Sequence, residues 1–137
     1  LVLVDTGAGI GRDVLTFARA ADWLVVVVTP EPTSMTDAYG LIKCVVGGRK
    51  GAAAAPRVAL VVNEVRRPEE AESVSARLSA TCERFLGIRP SVLGWVRADA
   101  RVAKAVRRRV PHMLTSPRCP ASRDIRRLSR AIESLTL

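Results

Sequence analysis

Residues 23–28 read WLVVVV, and this is the longest apolar run in the chain. Two further runs have the same character, LVLV at residues 1–4 and VALVV at residues 58–62. Each run is nearly continuous instead of alternating with polar residues, as is typical of parallel strands that are covered on both faces. Together with a shorter apolar stretch near residue 91, they predict one parallel sheet with strands at Leu1–Asp5, Trp23–Thr29, Val58–Asn63 and Ser91–Val96.

Helical patterns fill the stretches between these runs. Ser34 and Asp37 have the spacing of a capping box, which predicts a helix from there to about Val46. Pro68, with two Glu after it, predicts the start of another helix that ends at Gly87. Its buried side is predicted to carry Val74, Leu78, Cys82 and Phe85. The alternation of strands and helices indicates an α/β fold with a doubly wound, mostly parallel sheet and helices on both faces.

The composition is typical of a folded domain, and its C-terminal end is strongly basic. The 137 residues are 48% hydrophobic, which argues against intrinsic disorder, and no apolar run approaches the ~18 residues of a membrane span. Residues 1–96 hold 11 Lys and Arg against 10 Asp and Glu, whereas residues 97–137 hold 11 against 3. Such an end fits an anionic membrane, a nucleic acid or a solvated face. With only 4% aromatic residues for stacking on bases, a solvated face is preferred and nucleic acid is not expected.

Two helices are predicted in the basic end, at about Asp99–Arg108 and Ala121–Leu135, with an irregular stretch between them. The aliphatic residues of the second helix recur at helical spacing and are Ile125, Leu128, Ile132 and Leu135. Because no Trp or Phe accompanies them, packing against the sheet is preferred over contact with a membrane.

The cysteine and histidine pattern argues against zinc binding and triad hydrolysis. Cys44, Cys82 and Cys119 are widely spaced and His112 is the single histidine, so a zinc site has too few ligands. A catalytic Ser would lack the GxSxG motif. Separate cysteines in odd number suit a reducing cytoplasm, where each acts as a small hydrophobic residue.

Asp5, Gly7 and Gly9 follow the first predicted strand, and parallel sheets bind ligands at this end of their strands. A carboxylate at Asp5 can hold a hydrated Mg²⁺ beside nucleotide phosphates. The two glycines allow backbone N–H groups to approach a terminal phosphate. On residue type alone, a strand-ending Asp before an ordinary Gly turn is the preferred interpretation.

Three further candidates follow the other strands. Pro30 and Asn63 end the second and third strands, and Asp99 lies in the loop after the fourth. They are predicted to contact a nucleotide at the same edge of the sheet. A turn residue without a ligand is an equally good interpretation of Asn63.

The segments DTGAGI at residues 5–10 and TPEPTSMTDAY at residues 29–39 resemble the MinD/ParA family of P-loop ATPases. The resemblance continues through VVN at 61–63, ERFLG at 83–87 and LGWV at 93–96, and covers essentially the whole chain. It is greatest to the branch that controls flagellar number and placement, known as FlhG, FleN or YlxH. Residues 1–137 are accordingly expected to be the C-terminal part of a single MinD-like ATPase domain, a partial P-loop NTPase fold without its phosphate-loop strand.

The resemblance implies a role for individual residues. Asp5 would match the Walker B Asp, which reaches Mg²⁺ through water, and Gly9 would lie in the switch segment that senses the γ-phosphate. Asn63 would match the Asn whose amide recognises adenine, since an amide offers both a donor and an acceptor. Two positions depart from the family, because Glu64 replaces an Arg and Arg97-Ala98-Asp99 replaces Pro-Glu-Asp.

The Walker A lysines and catalytic Asp of the family have no counterpart in residues 1–137. The sequence GGRKG at residues 47–51 lacks the GxxxxGK[ST] spacing of a phosphate loop. The chain alone is therefore expected neither to hydrolyse ATP nor to bind ATP or Mg²⁺ tightly. Its parent protein would be an ATPase that uses both.

The resemblance also implies the function and partners of that parent. It would form a homodimer with ATP, lie in the cytoplasm and associate peripherally with the inner membrane. Its partners would be a flagellar SRP-type GTPase, switch-complex proteins and, in some bacteria, a flagellar transcription regulator. Two alternatives stay open: a non-catalytic module that binds acidic protein or lipid through its basic end, and a fragment of a ParA-like DNA-partitioning ATPase.

Overall fold

The computed structural model describes residues 1–47 and 55–136. Helices and strands alternate along the described residues from residue 12 onward. Their bounds are α1 Arg12–Ala20, β1 Trp23–Val28, α2 Pro32–Gly47, β2 Arg57–Val65, α3 Pro68–Leu86, β3 Ser91–Arg97, α4 Ala100–Arg107, α5 His112–Thr115 and α6 Pro120–Glu133, followed by a 3-10 turn at Ser134–Thr136.

The three strands form one parallel sheet in the order β1-β2-β3. β1 pairs with β2 in unbroken register, from Trp23 opposite Arg57 to Val28 opposite Val62, and β3 pairs with the other edge of β2. Parallel neighbours need long crossover connections, and α2 and α3 lie in these connections. The parallel sheet and three of its four predicted strands are confirmed, with small shifts at the strand ends.

The prediction of a strand at Leu1–Asp5 is wrong. Residues 1–10 form neither strand nor helix, and the first four side chains are between 59% and 86% exposed. A strand forms only where its N–H and C=O groups pair with a neighbour. Within the described residues this segment pairs with no strand. Its apolar composition is therefore not enough to place it in the sheet.

Two hydrophobic cores lie on opposite faces of the sheet. In the first, β1 and β2 pack against α2 and α3, and Ile42 and Leu60 are fully buried. In the second, α4 and α6 contribute side chains that pack with Val61 and Val96. Successive strand residues point to opposite faces, so Leu60 and Val61 belong to different cores. Helices on both faces confirm the predicted doubly wound α/β arrangement.

The helix predicted from Ser34 begins two residues earlier, so the capping box is wrong. Pro32 occupies the first turn, where its fixed φ suits a helix and its missing N–H leaves no helical bond unmade. Ser34 lies inside the helix, and its hydroxyl accepts a 3.0 Å hydrogen bond from the backbone N–H of Thr29. Ser34 therefore fixes the turn between β1 and α2.

The buried side of α3 is confirmed for Val74, Leu78 and Cys82, and burial raises the pKa of the Cys82 thiol. The prediction that Phe85 shares this side is wrong, because 63% of this residue is exposed. The buried stripe instead advances by four residues from Cys82 to the half-buried Leu86, which packs on the first core.

Gly87 ends α3, as predicted, in a left-handed conformation with φ of 67°. No described atom lies within 4 Å of the position that a Cβ would take there. We expect Gly87→Ala to lower the free energy of unfolding by about 1 kcal/mol through backbone strain alone. Gly40→Ala, in α2 with equal space and no positive φ, is the matched control and should raise it by roughly 0.5–1 kcal/mol. Urea unfolding measures both, and effects of the same sign would contradict this account.

The two helices of the basic end are confirmed as α4 and α6, with the short α5 in the stretch between them. Leu128 is buried, while Ile125, Ile132 and Leu135 are half-buried, so α6 packs on the fold as predicted. The Gly- and Ala-rich composition of residues 47–56 predicts a loop, and residues 48–54 of this stretch lie outside the described residues. Within the described ranges, each helix is too short or too polar to cross a membrane.

Candidate functional site

The carboxyl ends of the strands bring three turns to one edge of the sheet. Register pairs the last residue of β1 with the residue before Asn63, and Pro30 follows β1 by two residues. The N–H of Ala98 donates to the carbonyl of Val65 at 2.9 Å, which places the turn before Asp99 beside the end of β2. The turns that carry Pro30, Asn63 and Asp99 therefore share the edge where parallel sheets bind ligands.

Thr29 contributes a buried hydroxyl to this edge. Its backbone N–H is held by Ser34, but its Oγ1 is buried with no hydrogen-bond partner in the described part of the chain. Most buried polar groups have such a partner. Thr29 is thus able to bond a ligand or water, and sequence reasoning singled out its neighbour Pro30 instead.

A β-bulge shapes the end of β2 at Asn63 and Glu64. These two residues stand between Val62 and Val65, whereas a single residue stands between the corresponding partners on β3. Glu64 has φ of 60°, a left-handed conformation that costs a non-glycine residue about 1 kcal/mol. Bulges redirect side chains near active sites, where such strain also concentrates. The bulge therefore sets the direction of the half-buried Asn63.

Asp99 is engaged within the fold. Its Oδ1 accepts a 3.0 Å hydrogen bond from the backbone N–H of Arg101, which caps α4, and its Oδ2 lies 3.5 Å from the Arg101 guanidinium. The backbone hydrogen bond from Arg101 is the main cause that holds the pKa of the Asp99 carboxyl below its ordinary value. Capping is the observed role of Asp99, and its contact with a nucleotide stays a prediction.

This lowered pKa makes part of the stability depend on pH. A carboxyl with a lower pKa in the folded state stabilises the fold above its ordinary pKa of about 4, and this contribution is lost as pH falls through the folded value. Asp99→Ala should lower the free energy of unfolding by about 1 kcal/mol at neutral pH, whereas Asp99→Asn should have little effect because Asn also caps helices. Thermal unfolding across the acid range should show a shallower loss of stability in Asp99→Asn. An acid profile identical to that of the native chain would contradict this role.

Arg97 and Asp124 form an ion pair that sequence reasoning missed. The Arg97 guanidinium donates to both carboxylate oxygens at 2.8 Å, and the Arg97 backbone N–H donates to Oδ2 at 3.1 Å. The Asp124 side chain is fully buried, and the hydrogen bond between the two side chains raises the pKa of Arg97. One feature of the sequence pointed to this pairing: Asp99 and Asp124 are the only acidic residues from 97 to 132, so each has many basic residues available as partners.

Asp5, Gly7 and Gly9 lie in the exposed segment before α1. The glycines have φ of 67° and 102°, conformations that other residues avoid. The N–H of Gly7 donates to the Asp5 carboxylate at 3.4 Å. Because this segment is not a strand, sheet pairing does not carry Asp5 to the edge where Pro30 and Asn63 lie.

The described residues have groups that suit the base and ribose of a nucleotide but not its magnesium-bound phosphates. Asn63 offers an amide donor and acceptor, and Thr29 an unpartnered hydroxyl, which suit a nucleobase or ribose. Mg²⁺ requires octahedral oxygen ligands, whereas Asp5 is one carboxylate on an exposed segment. In residues 1–47 and 55–136, no three His, Cys, Asp or Glu are grouped to hold a metal. These residues alone therefore do not fit magnesium triphosphate.

Curated proteins resemble the chain in sequence, although no protein-family model matches it. Antiactivator FleN of Pseudomonas aeruginosa is 34% identical over 137 residues, which are 100% of this chain and 48% of FleN. Flagellum site-determining protein YlxH of Helicobacter pylori is 38% identical over 77 residues, which are 56% of this chain and 24% of YlxH. The chain thus spans about half the length of FleN.

The fold of the chain occurs in solved structures. The crystal structure of the cell division ATPase MinD from Pyrococcus furiosus matches 94% of this chain and 49% of its own chain, with a TM-score of 0.69 and 16% sequence identity. The shared fold is the α/β fold of P-loop NTPases, of which the described residues contain three parallel strands and their flanking helices.

Proposed function

Because this chain belongs to the MinD/ParA-type family and matches the regulators FleN and YlxH, we propose that it is part of an ATP-dependent regulator of flagellar number and placement. The observation that carries the proposal is the 34% identity to FleN along all 137 residues. The name of YlxH supports the flagellar role, and the fold shared with MinD, a cell division ATPase, supports the use of ATP.

In this proposal, residues 1–137 are the C-terminal part of one ATPase domain and supply the nucleobase side of its site. Asn63 binds the base beside Pro30, and the unpartnered hydroxyl of Thr29 supports a polar ligand at the same edge. Asp5, Gly7 and Gly9 approach the magnesium and phosphates only when a phosphate loop lies beside them. ATP, when bound, supplies the charged phosphates that the loop and metal neutralise.

The proposed parent acts as an ATP-dependent homodimer in the cytoplasm and associates peripherally with the inner membrane. Its proposed partners are a flagellar SRP-type GTPase, switch-complex proteins and a flagellar transcription regulator. The name of FleN, an antiactivator, supports a regulatory partner of the last kind. The low aromatic content supports a protein or lipid partner over nucleic acid.

A chimaera tests the nucleotide site directly. This chain replaces the stretch of FleN that it matches, and calorimetry measures ATP binding with and without Mg²⁺. We expect the chimaera to bind ATP and the isolated chain to bind none at micromolar concentration. Asn63→Ala should weaken binding by about tenfold with or without the metal, which corresponds to one lost hydrogen bond. Asp5→Ala should remove only the part of the affinity that depends on Mg²⁺.

Asp13→Ala is the matched control, because Asp13 is another exposed carboxylate, in the first turn of α1. It should leave nucleotide affinity unchanged. The proposal fails if the folded chimaera binds no ATP, or if its affinity survives both Asp5→Ala and Asn63→Ala. Micromolar binding by the isolated chain would overturn the view that it lacks the phosphate side of the site.

A further inference from the structure

The corner formed by residues 100–115, which we call the α4–α5 corner, exposes aliphatic side chains to solvent. Val106 is 69% exposed, Val110 39% and Leu114 76%. The inner side of the corner is anchored, because Ala105 is buried and Val102 packs on the second core. The three outer side chains thus belong to a fixed part of the fold but lie outside both cores.

A tight backbone turn joins the two helices of the corner. Arg109 adopts φ of 54°, the left-handed conformation that typically follows a helix. The N–H of Val110 then donates back to the carbonyl of Ala105 at 3.1 Å, and that of Arg109 to Val106 at 2.9 Å. Val110 is thereby folded against the last turn of α4, and α5 with Leu114 follows directly after it.

The same corner is strongly cationic. Between Asp99 and Asp124 the sequence contains no acidic residue. The basic residues of this stretch, all exposed, are Arg101, Lys104, Arg107, Arg108, Arg109, Arg118 and Arg123. Within residues 1–47 and 55–136, Arg101 is the one of these seven that forms an ion pair, with Asp99. Exposed aliphatic side chains therefore lie among uncompensated positive charges.

We propose that the α4–α5 corner docks on the surface of an anionic lipid bilayer. Val106, Val110 and Leu114 enter the boundary between headgroups and acyl chains, and the surrounding arginines contact lipid phosphates. This deepens the proposed function, on which it rests, because it assigns the peripheral membrane contact to a surface. The α6 helix carries four Arg but also Asp124 and Glu133, and its aliphatic residues face the fold. A nucleic acid fits less well, because residues 100–123 contain no Phe, Tyr or Trp to stack on bases.

Vesicle sedimentation of the 137-residue chain, without nucleotide, tests this surface. We expect binding to phosphatidylcholine vesicles that contain about 30% phosphatidylglycerol, at about 0.1 M salt, and at least tenfold weaker binding to pure phosphatidylcholine. Arg107→Gln with Arg108→Gln should weaken binding by about 30-fold. Val106→Ser with Leu114→Ser should weaken it by about tenfold without changing the net charge.

Each pair has a matched control elsewhere on the molecule. Arg126→Gln with Arg127→Gln removes two exposed charges of α6, and Phe85→Ser with Val92→Ser removes two exposed apolar side chains. The charge control should weaken binding by less than about threefold, and the apolar control should leave it unchanged. Circular dichroism and the unfolding midpoint verify that every variant is folded.

The proposal is rejected if the folded chain does not bind the anionic vesicles or binds both vesicle types equally. It is also rejected if either double variant of the corner loses no more vesicle affinity than its matched control variant. The corner would be assigned to nucleic acid if the chain binds a DNA duplex but no vesicles. In that case Arg107→Gln with Arg108→Gln should abolish DNA binding, whereas Val106→Ser with Leu114→Ser should retain it. The FleN chimaera separates the two proposals. If the chimaera binds ATP but not vesicles, only the membrane-docking proposal is rejected. If it binds vesicles but not ATP, only the proposed ATPase role is rejected.

Discussion

Arg97→Ala is expected to lower the free energy of unfolding by about 3–4 kcal/mol, the largest loss that the structure predicts for a single substitution. Asp124 has a fully buried side chain, and its two oxygens accept the charged hydrogen bonds of Arg97. Without Arg97, a buried carboxylate keeps only one backbone N–H donor in the described structure. Uncompensated buried charge is among the most destabilising changes in a protein. Urea unfolding followed by circular dichroism measures the loss.

Arg101→Ala is the matched control, since Arg101 also pairs with an Asp but its side chain is 58% exposed at a distance of 3.5 Å. The Asp99 side chain is only 7% exposed, but the Arg101 backbone N–H continues to donate to it after this substitution, so the loss should be no more than about 1 kcal/mol. Arg97→Lys keeps the charge but cannot donate to both oxygens with the planar geometry of a guanidinium, and should fall between the two. Equal losses for Arg97→Ala and Arg101→Ala would show that the buried pair contributes nothing beyond an ordinary surface pair.

Gly94→Ala is expected to lower the free energy of unfolding by about 2–4 kcal/mol. Gly94 adopts φ of 146°, which other residues rarely do, and a Cβ there would stand 3.0 Å from Cδ2 of Leu128. Leu128 is buried in the second core, and its side chain would have to shift by a few tenths of an ångström to admit the methyl group. The glycine therefore permits the close approach of α6 to β3, and a methyl group would separate the two.

Two variants divide this loss into its causes. Gly87→Ala measures backbone strain without any nearby atom, and at φ of 67° this strain is a lower bound for that of Gly94, whose φ of 146° lies outside the left-handed helical region. Leu128→Ala should cost about 2–3 kcal/mol as a cavity, but the double variant with Gly94→Ala should lose less than the sum of the single losses. Strictly additive losses, or a Gly94→Ala loss no greater than that of Gly87→Ala, would show that contact with Leu128 is unimportant.

β1 and β2 could be predicted because each contains a continuous apolar run, and β3 because a shorter apolar stretch follows α3 in the alternation of strands and helices. The same signal misled at residues 1–4, where apolar residues occur without a strand to pair with. Ser34 misled in another way, because Pro32 already begins the helix and leaves the Ser34 hydroxyl for Thr29. Composition thus indicates which segments prefer a strand or helix, whereas pairing and local hydrogen bonds decide where they begin.

The shared edge of Pro30, Asn63 and Asp99 follows from strand direction, which is why it could be predicted. The unpartnered hydroxyl of Thr29 could not, because it depends on how neighbouring side chains pack. The bulge at Glu64 depends on register between strands that are distant in sequence. Asp124 is 27 residues from Arg97, so only the folded chain reveals their pairing.

The central position of β2 has a consequence for the motions of the molecule. Within the described residues, β2 is hydrogen-bonded on both sides, whereas β1 and β3 each have one neighbour. Either outer strand can detach in a local opening that leaves β2 paired on its other side, and complete exchange of the β2 amide hydrogens requires both neighbours to be lost. Asn63 and Glu64 directly follow Val62, which is paired with Val28 on one side and Trp95 on the other. The bulge thus keeps one anchored neighbour through openings that release Pro30 on one flank or Asp99 on the other.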